Sequence, residues 1–274
     1  MPDIKLIALD LDGTLLNSDK VLTPRSRAAL QAASEKGIWI VPATGRFYKG
    51  MPEVIRSLPF VRYVITINGA AVFDAETGED IYSADIPTDE AVAFYEYLDT
   101  LPVIYDGYMN GWGYMTAEMR EKSASFDMLP FQMIMMRDLR SSVPELKAFI
   151  KEHHYRPQKM QLFTNDPALR ERLLVTMAEK YPQFSVTSSL PNNIEINSFD
   201  ADKGRAILAL AEKLSIPREA TMAFGDGLND VSMLRAAGVG VAMANAHPDV
   251  KAAADRLTDS CDEDGVAKVI EQLL

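Results

Sequence analysis

Two acidic clusters from opposite ends of the chain each follow a short apolar run. Asp10-Leu11-Asp12-Gly13-Thr14 comes directly after Ile4-Lys5-Leu6-Ile7-Ala8-Leu9, and Gly225-Asp226-Gly227-Leu228-Asn229-Asp230 after Met222-Ala223-Phe224. Nearly continuous apolar runs this short read as strands buried on both faces. In an open parallel sheet, ligands bind outside the carboxyl ends of the strands. A fold that buries both runs in one sheet therefore brings both clusters to one end of it. Asp10 and Asp12 are two apart in an extended stretch and start on the same side before Gly13 lets the backbone turn. Neighbouring carboxylates repel unless a cation or proton lies between them.

The rest of the pattern fits an α/β core. Thr23-Pro24 supplies an N-cap and a first-turn proline, and Gly37 stands where that helix should end. Ile38 to Ala43 and Tyr63 to Ile67 read as further strands, with a helix over 48–58 between them, so a parallel sheet with crossover helices is expected. From Ile81 to about Pro191 the rhythm changes. Thr88 to Leu101 reads as a helix and Val103 to Met115 as a hairpin turning at Asn110-Gly111. Helices near Pro144–His153 and Pro167–Tyr181 flank a strand at Lys159–Thr164. After Asn193 the parallel pattern returns, with helices at 202–214, 230–237 and 264–273 and strands at 221–224 and 239–243. The expected class is α/β: a Rossmann-like parallel-sheet core from residues 1–82 and 193–274, with an inserted α+β domain over 83–192. A length of 274 residues suits two such domains.

Charge and cysteine usage exclude several functions. The chain has 28 basic and 39 acidic residues, a net charge of −11. Such a surface repels nucleic acid and anionic lipid, so neither is an expected partner. A single cysteine, Cys261, and three histidines, His153, His154 and His247, argue against a disulfide or a thiolate–imidazole zinc site. No apolar run approaches the roughly 18 residues of a membrane span, and the start lacks a basic leader. A cytoplasmic protein, monomeric or weakly dimeric, is expected. An anionic substrate would then need a local cation to receive it.

The clusters offer one. Hard oxygen ligands at two strand ends suit Mg2+, which takes one or two carboxylates, waters and a substrate phosphate. Ala43-Thr44-Gly45-Arg46 ends another strand: Thr44 offers a hydroxyl, and the amides around Gly45 can bond phosphate oxygens. Lys203, at a helix start in Asp202-Lys203-Gly204, can place a compact positive charge beside the phosphate.

Taken in order, Asp-x-Asp-Gly-Thr, a strand-end Thr, a Lys and Gly-Asp-Gly-x-Asn-Asp resemble the haloacid dehalogenase superfamily of phosphohydrolases. The match is closest to its Cof-type members, which carry a large α/β cap (type C2) between the second and third motifs. Ile67-Asn68-Gly69-Ala70, Gly240-Val241-Ala242-Met243 and Asp262-Glu263-Asp264-Gly265-Val266 also look like that subfamily. The resemblance implies a Mg2+-dependent phosphatase for a small phosphorylated metabolite, a sugar phosphate or phosphorylated cofactor. It makes Asp10 the nucleophile, giving an aspartyl phosphate, and Asp12 the acid and then the base. Mg2+ would be held by the Asp10 side chain, the Asp12 backbone carbonyl and Asp226. Asn229 and Asp230 would orient ligands and metal-bound waters. Thr44, Gly45 and Lys203 would bind the phosphoryl group; Arg46 could join them or pair with a core carboxylate instead.

The inserted segment would choose the leaving group. Met109, Met115, Met119, Met128, Met133, Met135 and Met136 crowd part of it, as an adaptable binding surface, as core packing or as a dimer contact. A phosphomutase or dehalogenase on the same scaffold, or a non-catalytic phosphate- or Mg-binding regulator, are the competing readings. Asp12 argues against a dehalogenase, and the intact set of motifs against a relic.

Overall fold

The computed structural model describes residues 3–126, 130–188 and 190–274. In chain order its elements begin β1 (Leu6–Leu9), α1 (Pro24–Glu35), β2 (Trp39–Pro42), α2 (Glu53–Arg56), β3 (Tyr63–Thr66), β4 (Ala71–Asp74) and β5 (Glu79–Ser83). The middle of the chain supplies α3 (Thr88–Leu98), β6 (Ile104–Met109), β7 (Trp112–Thr116), α4 (Ala117–Ser123), α5 (Pro130–Asp138) and β8 (Arg140–Val143). It continues with α6 (Leu146–Glu152), β9 (Lys159–Phe163), α7 (Pro167–Lys180), β10 (Phe184–Thr187) and β11 (Asn193–Ser198). The chain then closes with α8 (Lys203–Lys213), β12 (Thr221–Gly225), α9 (Val231–Ala236), β13 (Val239–Ala242), α10 (Pro248–Ala253), β14 (Arg256–Leu257) and α11 (Gly265–Glu271). They form two compact units, one of residues 1–46, 51–82 and 202–274, the other of 47–50 and 83–201.

The first unit is built on a five-stranded parallel sheet ordered β14-β13-β12-β1-β2. β1 and β12 are buried along their whole length, which accounts for their unbroken apolar sequence. The Thr23 hydroxyl accepts from Ser26 N and Pro24 opens α1, as the local signals require. Two expectations fail here. Tyr63–Thr66 does not extend the parallel ladder: its ladder is antiparallel, with β4 in a separate sheet, β3-β4-β5, and it meets the end of β2 through a parallel bridge, Ala43 with Ile65. The helix expected over 48–58 shrinks to a 3-10 turn and the short α2, because Pro52 stops the first segment and starts the second.

The second unit is a mixed sheet ordered β10-β11-β9-β6-β7-β8, antiparallel except for β7 with β8. The hairpin turns where expected, with Asn110 and Gly111 both left-handed at φ 49° and 74°. The parallel pattern resumes later than the sequence suggests. Residues 193–198 form β11, a strand of this sheet paired with β9, and the core resumes at Asp202. Polar alternation in Asn193-Ile194-Glu195-Ile196-Asn197 is the sign of such a strand. Strand alternation puts Tyr105, Met109, Met160, Leu162, Ile194 and Ile196 on one face, where they pack against α3, α6 and α7.

The methionine-rich stretch is largely core. Met115 and Met136 join Ile104 and Phe163 in a small cluster that Met119 and Phe126 flank, Met109 packs with the helix-side core, and Met133 is exposed. Met128 and the Met135 side chain lie outside the described residues. His153, His154 and His247 are exposed. Among the described residues, no helix is long and apolar enough to cross a membrane.

Candidate active site

Strand order explains why the clusters meet. β1 lies between β12 and β2, so Asp10, Asp226 and Thr44 leave neighbouring parallel strands at the same end. Asp10 N still bonds the carbonyl of Phe224, carrying the ladder to the last residue before the loop. Lys203 comes from the first turn of α8, whose N-cap Asp202 accepts from Arg205 N at 2.8 Å.

At the centre is a buried lysine between two aspartates. Lys203 Nζ donates to Asp10 Oδ1 at 2.7 Å and to Asp230 Oδ1 at 2.6 Å. The other oxygen of Asp230 accepts from the amides of Asp226 (3.1 Å) and Gly227 (3.0 Å), so this fully buried side chain has both oxygens engaged. Carboxylate oxygens of Asp10, Asp226 and Asp230 all lie within 4.8 Å of one another. An all-oxygen donor set so close together could hold a hard cation such as Mg2+. Burial pushes the Asp10 carboxyl up to about 7 against the pull of Lys203, with Asp230 and Asp226 adding to the rise. Burial works against the Lys203 ammonium, but the two aspartates outweigh it and raise its pKa.

Asp12 points elsewhere. Its carboxylate meets Arg46 Nη2 at 3.1 Å and Lys20 Nζ at 3.2 Å. Burial opposes its ionisation, yet these two cations hold its pKa below the usual range. Between its two possible partners, Arg46 thus stands on a carboxylate. Thr44 is buried and anchored by its amide to the carbonyl of Ile65, while its hydroxyl accepts from Arg46 N. Gly45 lies under Asn68: a Cβ there would come within 2.9 Å of Asn68 Oδ1. That same oxygen accepts from Asn229 Nδ2 at 3.0 Å.

Asp10, Thr44, Gly45, Lys203, Asp226, Asn229 and Asp230 thus gather around the strand ends, with Asp12 and Arg46 paired beside them. Three contacting residues were given no role from the sequence. Thr14 donates its hydroxyl to Asp226 Oδ1 at 2.7 Å, and Asn245 Nδ2 reaches Gly13 O at 2.7 Å and Asp226 Oδ2 at 3.5 Å. Lys20 is the third. Thr14 belongs to the first motif and was findable there; Asn245 is brought in only by the loop after β13, which no local pattern signals.

Comparison with known proteins gives a consistent picture. A family model described as haloacid dehalogenase-like hydrolase matches residues 7–270. The chain is 32% identical over 269 residues to the 5-amino-6-(5-phospho-D-ribitylamino)uracil phosphatase YcsE of Bacillus subtilis, covering 98% of this chain and 95% of that protein. It is 33% identical over 295 residues to phosphatase YwpJ of the same organism, covering 99% and 100%. Among solved structures, a haloacid dehalogenase-like hydrolase from Bacteroides thetaiotaomicron superposes with a TM-score of 0.82 at 29% identity, covering 99% of this chain and 100% of that one. The subclass IIB sugar phosphatase BT4131 gives 0.74 at 28% identity, covering 98% and 100%.

Proposed function

The chain belongs to the haloacid dehalogenase-like hydrolase family and is a phosphatase, and from that premise we propose a Mg2+-dependent phosphomonoesterase working through an aspartyl phosphate on Asp10. The observation that carries this reading is the buried Asp10–Lys203–Asp230 constellation at the ends of β1 and β12. The names of the relatives, a ribityl-bearing uracil phosphate phosphatase and a sugar phosphatase, support a small phosphorylated metabolite as substrate, either a sugar phosphate or a phosphorylated cofactor.

The contacts support the following roles. Lys203 engages Oδ1 of Asp10, leaving Oδ2 to attack phosphorus. Thr44, the amide region of Gly45, Lys203 and Asn229 position the phosphoryl group, since this chemistry depends mainly on positioning and charge stabilisation. Asp12 hands a proton to the leaving oxygen and then takes one from the water that opens the acyl phosphate. Mg2+, when bound by the Asp10 and Asp226 side chains and the Asp12 carbonyl, supplies the positive charge that lets an anionic ester enter a site of three aspartates. Asp230 orients these groups through the two amides and Lys203. The unit containing residues 83–201 is the specificity element.

The test is phosphate release from p-nitrophenyl phosphate, with and without chelator, by native protein and by Asp10→Asn and Asp12→Asn. Asp10→Asn should fall to background. Asp12→Asn should turn over about 10²–10⁴-fold more slowly and carry a phosphoryl adduct in intact mass at acid pH. Full activity in excess chelator, or the adduct on Asp10→Asn, would overturn the assignment.

A further inference from the structure

Three residues in a row take left-handed backbone just after β3. Ile67 has φ 52°, Asn68 φ 56° with ψ 31°, and Gly69 φ 93°. Glycine takes such angles freely and asparagine more readily than most residues, but a β-branched isoleucine is an outlier there. Ile67 is fully buried, so packing holds it in place. Strained backbone persists only where its surroundings over-determine it, and it gathers at functional sites.

The turn is tied to the loop after β2. Ile67 N donates to Arg46 O and Asn68 N to Thr44 O, both at 3.0 Å, while Thr44 N donates to Ile65 O at 2.8 Å. The Asn68 side chain lies over Gly45: a Cβ on that glycine would meet Oδ1 at 2.9 Å and both Cγ and Nδ2 at 3.4 Å, so the glycine leaves room for the amide. Asn68 Oδ1 accepts in turn from Asn229 Nδ2 at 3.0 Å, across 161 residues. One side chain thus joins the loop after β2 to the loop after β12.

We infer that Asn68 is a positioning residue for phosphoryl capture and acts through Asn229, an inference that rests on the phosphatase reading above. Asn229 is exposed, and an untethered amide there would turn and present its oxygen to an anion as readily as its nitrogen. The bond to Asn68 occupies one hydrogen of Nδ2, fixes the direction of the amide and leaves the second hydrogen for a phosphoryl oxygen. An acceptor that could itself turn would fix nothing. The left-handed backbone, bonded at residues 67 and 68, holds this one still. The amide region of Gly45 and the Asn229 amide are thereby kept at a set separation, one from each strand end.

The test is inhibition of p-nitrophenyl phosphate hydrolysis by inorganic phosphate, measured on full-length native protein, Asn68→Gly, Asn229→Ala and the double variant. Glycine keeps the left-handed backbone while removing the amide, and Asn229→Ala leaves the turn untouched. Each single variant should weaken phosphate inhibition by about tenfold, with kcat/KM falling in step, the usual scale for losing an orienting contact. The double variant should be no more than about threefold weaker than Asn229→Ala, because Asn68 acts through that residue. Losses that multiply to about a hundredfold would show two independent roles and overturn the inference. So would an Asn229→Ala protein that binds phosphate as native protein does, or an Asn68→Gly protein whose only change is a lower melting temperature. Native protein inactive toward p-nitrophenyl phosphate would instead overturn the phosphatase reading, and the inference with it.

Discussion

The Lys203 ammonium stands 2.7 Å from Oδ1 of Asp10, both side chains buried, across a separation of 193 residues. Asp230 takes the same ammonium from another direction, so one lysine balances two aspartates beside Asp226. Removing it should leave the carboxylates facing one another in a low-dielectric site. Lys203→Met in chelator should lose about 3 kcal/mol of stability, the usual cost of breaking a buried pair from one side. Millimolar Mg2+ should then raise its melting temperature more than that of native protein. Equal Mg2+ responses in a melting assay would show that Lys203 is not what balances this charge.

Thr14 fixes the other end of the site. Its hydroxyl bonds Asp226 Oδ1 at 2.7 Å, leaving Oδ2 close to the weaker Asn245 contact. Thr14→Val keeps the shape but frees the carboxylate to turn. Groups that orient a ligand carboxylate typically matter by 10–100-fold in metal affinity. The Mg2+ concentration for half-maximal phosphatase activity should therefore rise about tenfold or more, with kcat recovered at saturation. A lower kcat at every Mg2+ concentration would assign Thr14 to the chemistry instead.

Arg46 touches the carboxylate of Asp12, in a pair about one-third exposed. Arg46→Ala should disturb the proton carrier more than phosphate capture. We expect kcat to fall by about 10- to 100-fold, at the lower end of what acid–base groups contribute, while inhibition by inorganic phosphate changes less than about threefold. A tenfold weaker phosphate inhibition would place the guanidinium on the phosphoryl group.

What was legible in the sequence was what local chemistry fixes. Apolar runs ending in Asp10 and Asp226 gave the strands and the direction of their ends, and Thr23-Pro24 and Asn110-Gly111 gave a cap and a turn. Failures came where pairing is non-local. Tyr63–Thr66 looks like any buried strand, and its antiparallel ladder with β4, beside a parallel bridge to the end of β2, depends on partners the local sequence does not show. Asn193–Ser198 alternates polar and apolar, but which sheet it joins depends on β9. In the site, Asn245 and Lys20 carry no motif of their own, and the Arg46–Asp12 pair was one of two open alternatives until the side chains were placed.

Asp74 gives the fold a pH dependence. Burial opposes its ionisation, but Arg62, bonding it at 2.8–3.2 Å, and the amides of Glu76 and Thr77 hold its pKa below the usual value. A depressed folded pKa stabilises above the unfolded value, near 3.9, and that stability fades as pH falls through the folded pKa. Arg62→Ala should lower stability at pH 7, where Asp74 is ionised and paired with it. The gap to native protein should narrow as the pH is lowered below the unfolded aspartate value of about 3.9. A gap that stays constant in urea titrations across that range would remove Asp74 from the account.

Gly69 ties backbone conformation to the placement of Lys203. It sits at φ +93°, and a Cβ there would fall 2.2 Å from the carbonyl carbon of Asp202 and 2.4 Å from Lys203 N. Those are backbone atoms at the start of α8, and backbone cannot swing aside as a side-chain tip can. Gly69→Ala therefore meets both a left-handed conformation unsuited to alanine, worth roughly 1–2 kcal/mol, and a clash relieved only by moving the helix start. Gly78 supplies the control: φ is +78°, yet among the described residues nothing lies within 4 Å of its added Cβ. Gly78→Ala should lose roughly 1–2 kcal/mol and keep its kcat. Gly69→Ala should lose clearly more stability, and its kcat should fall because the displaced helix carries Lys203 away from Asp10. Denaturant unfolding and steady-state kinetics on the two variants check this. Equal losses would mean that α8 gives way without cost and that the close approach at Gly69 does not fix the lysine.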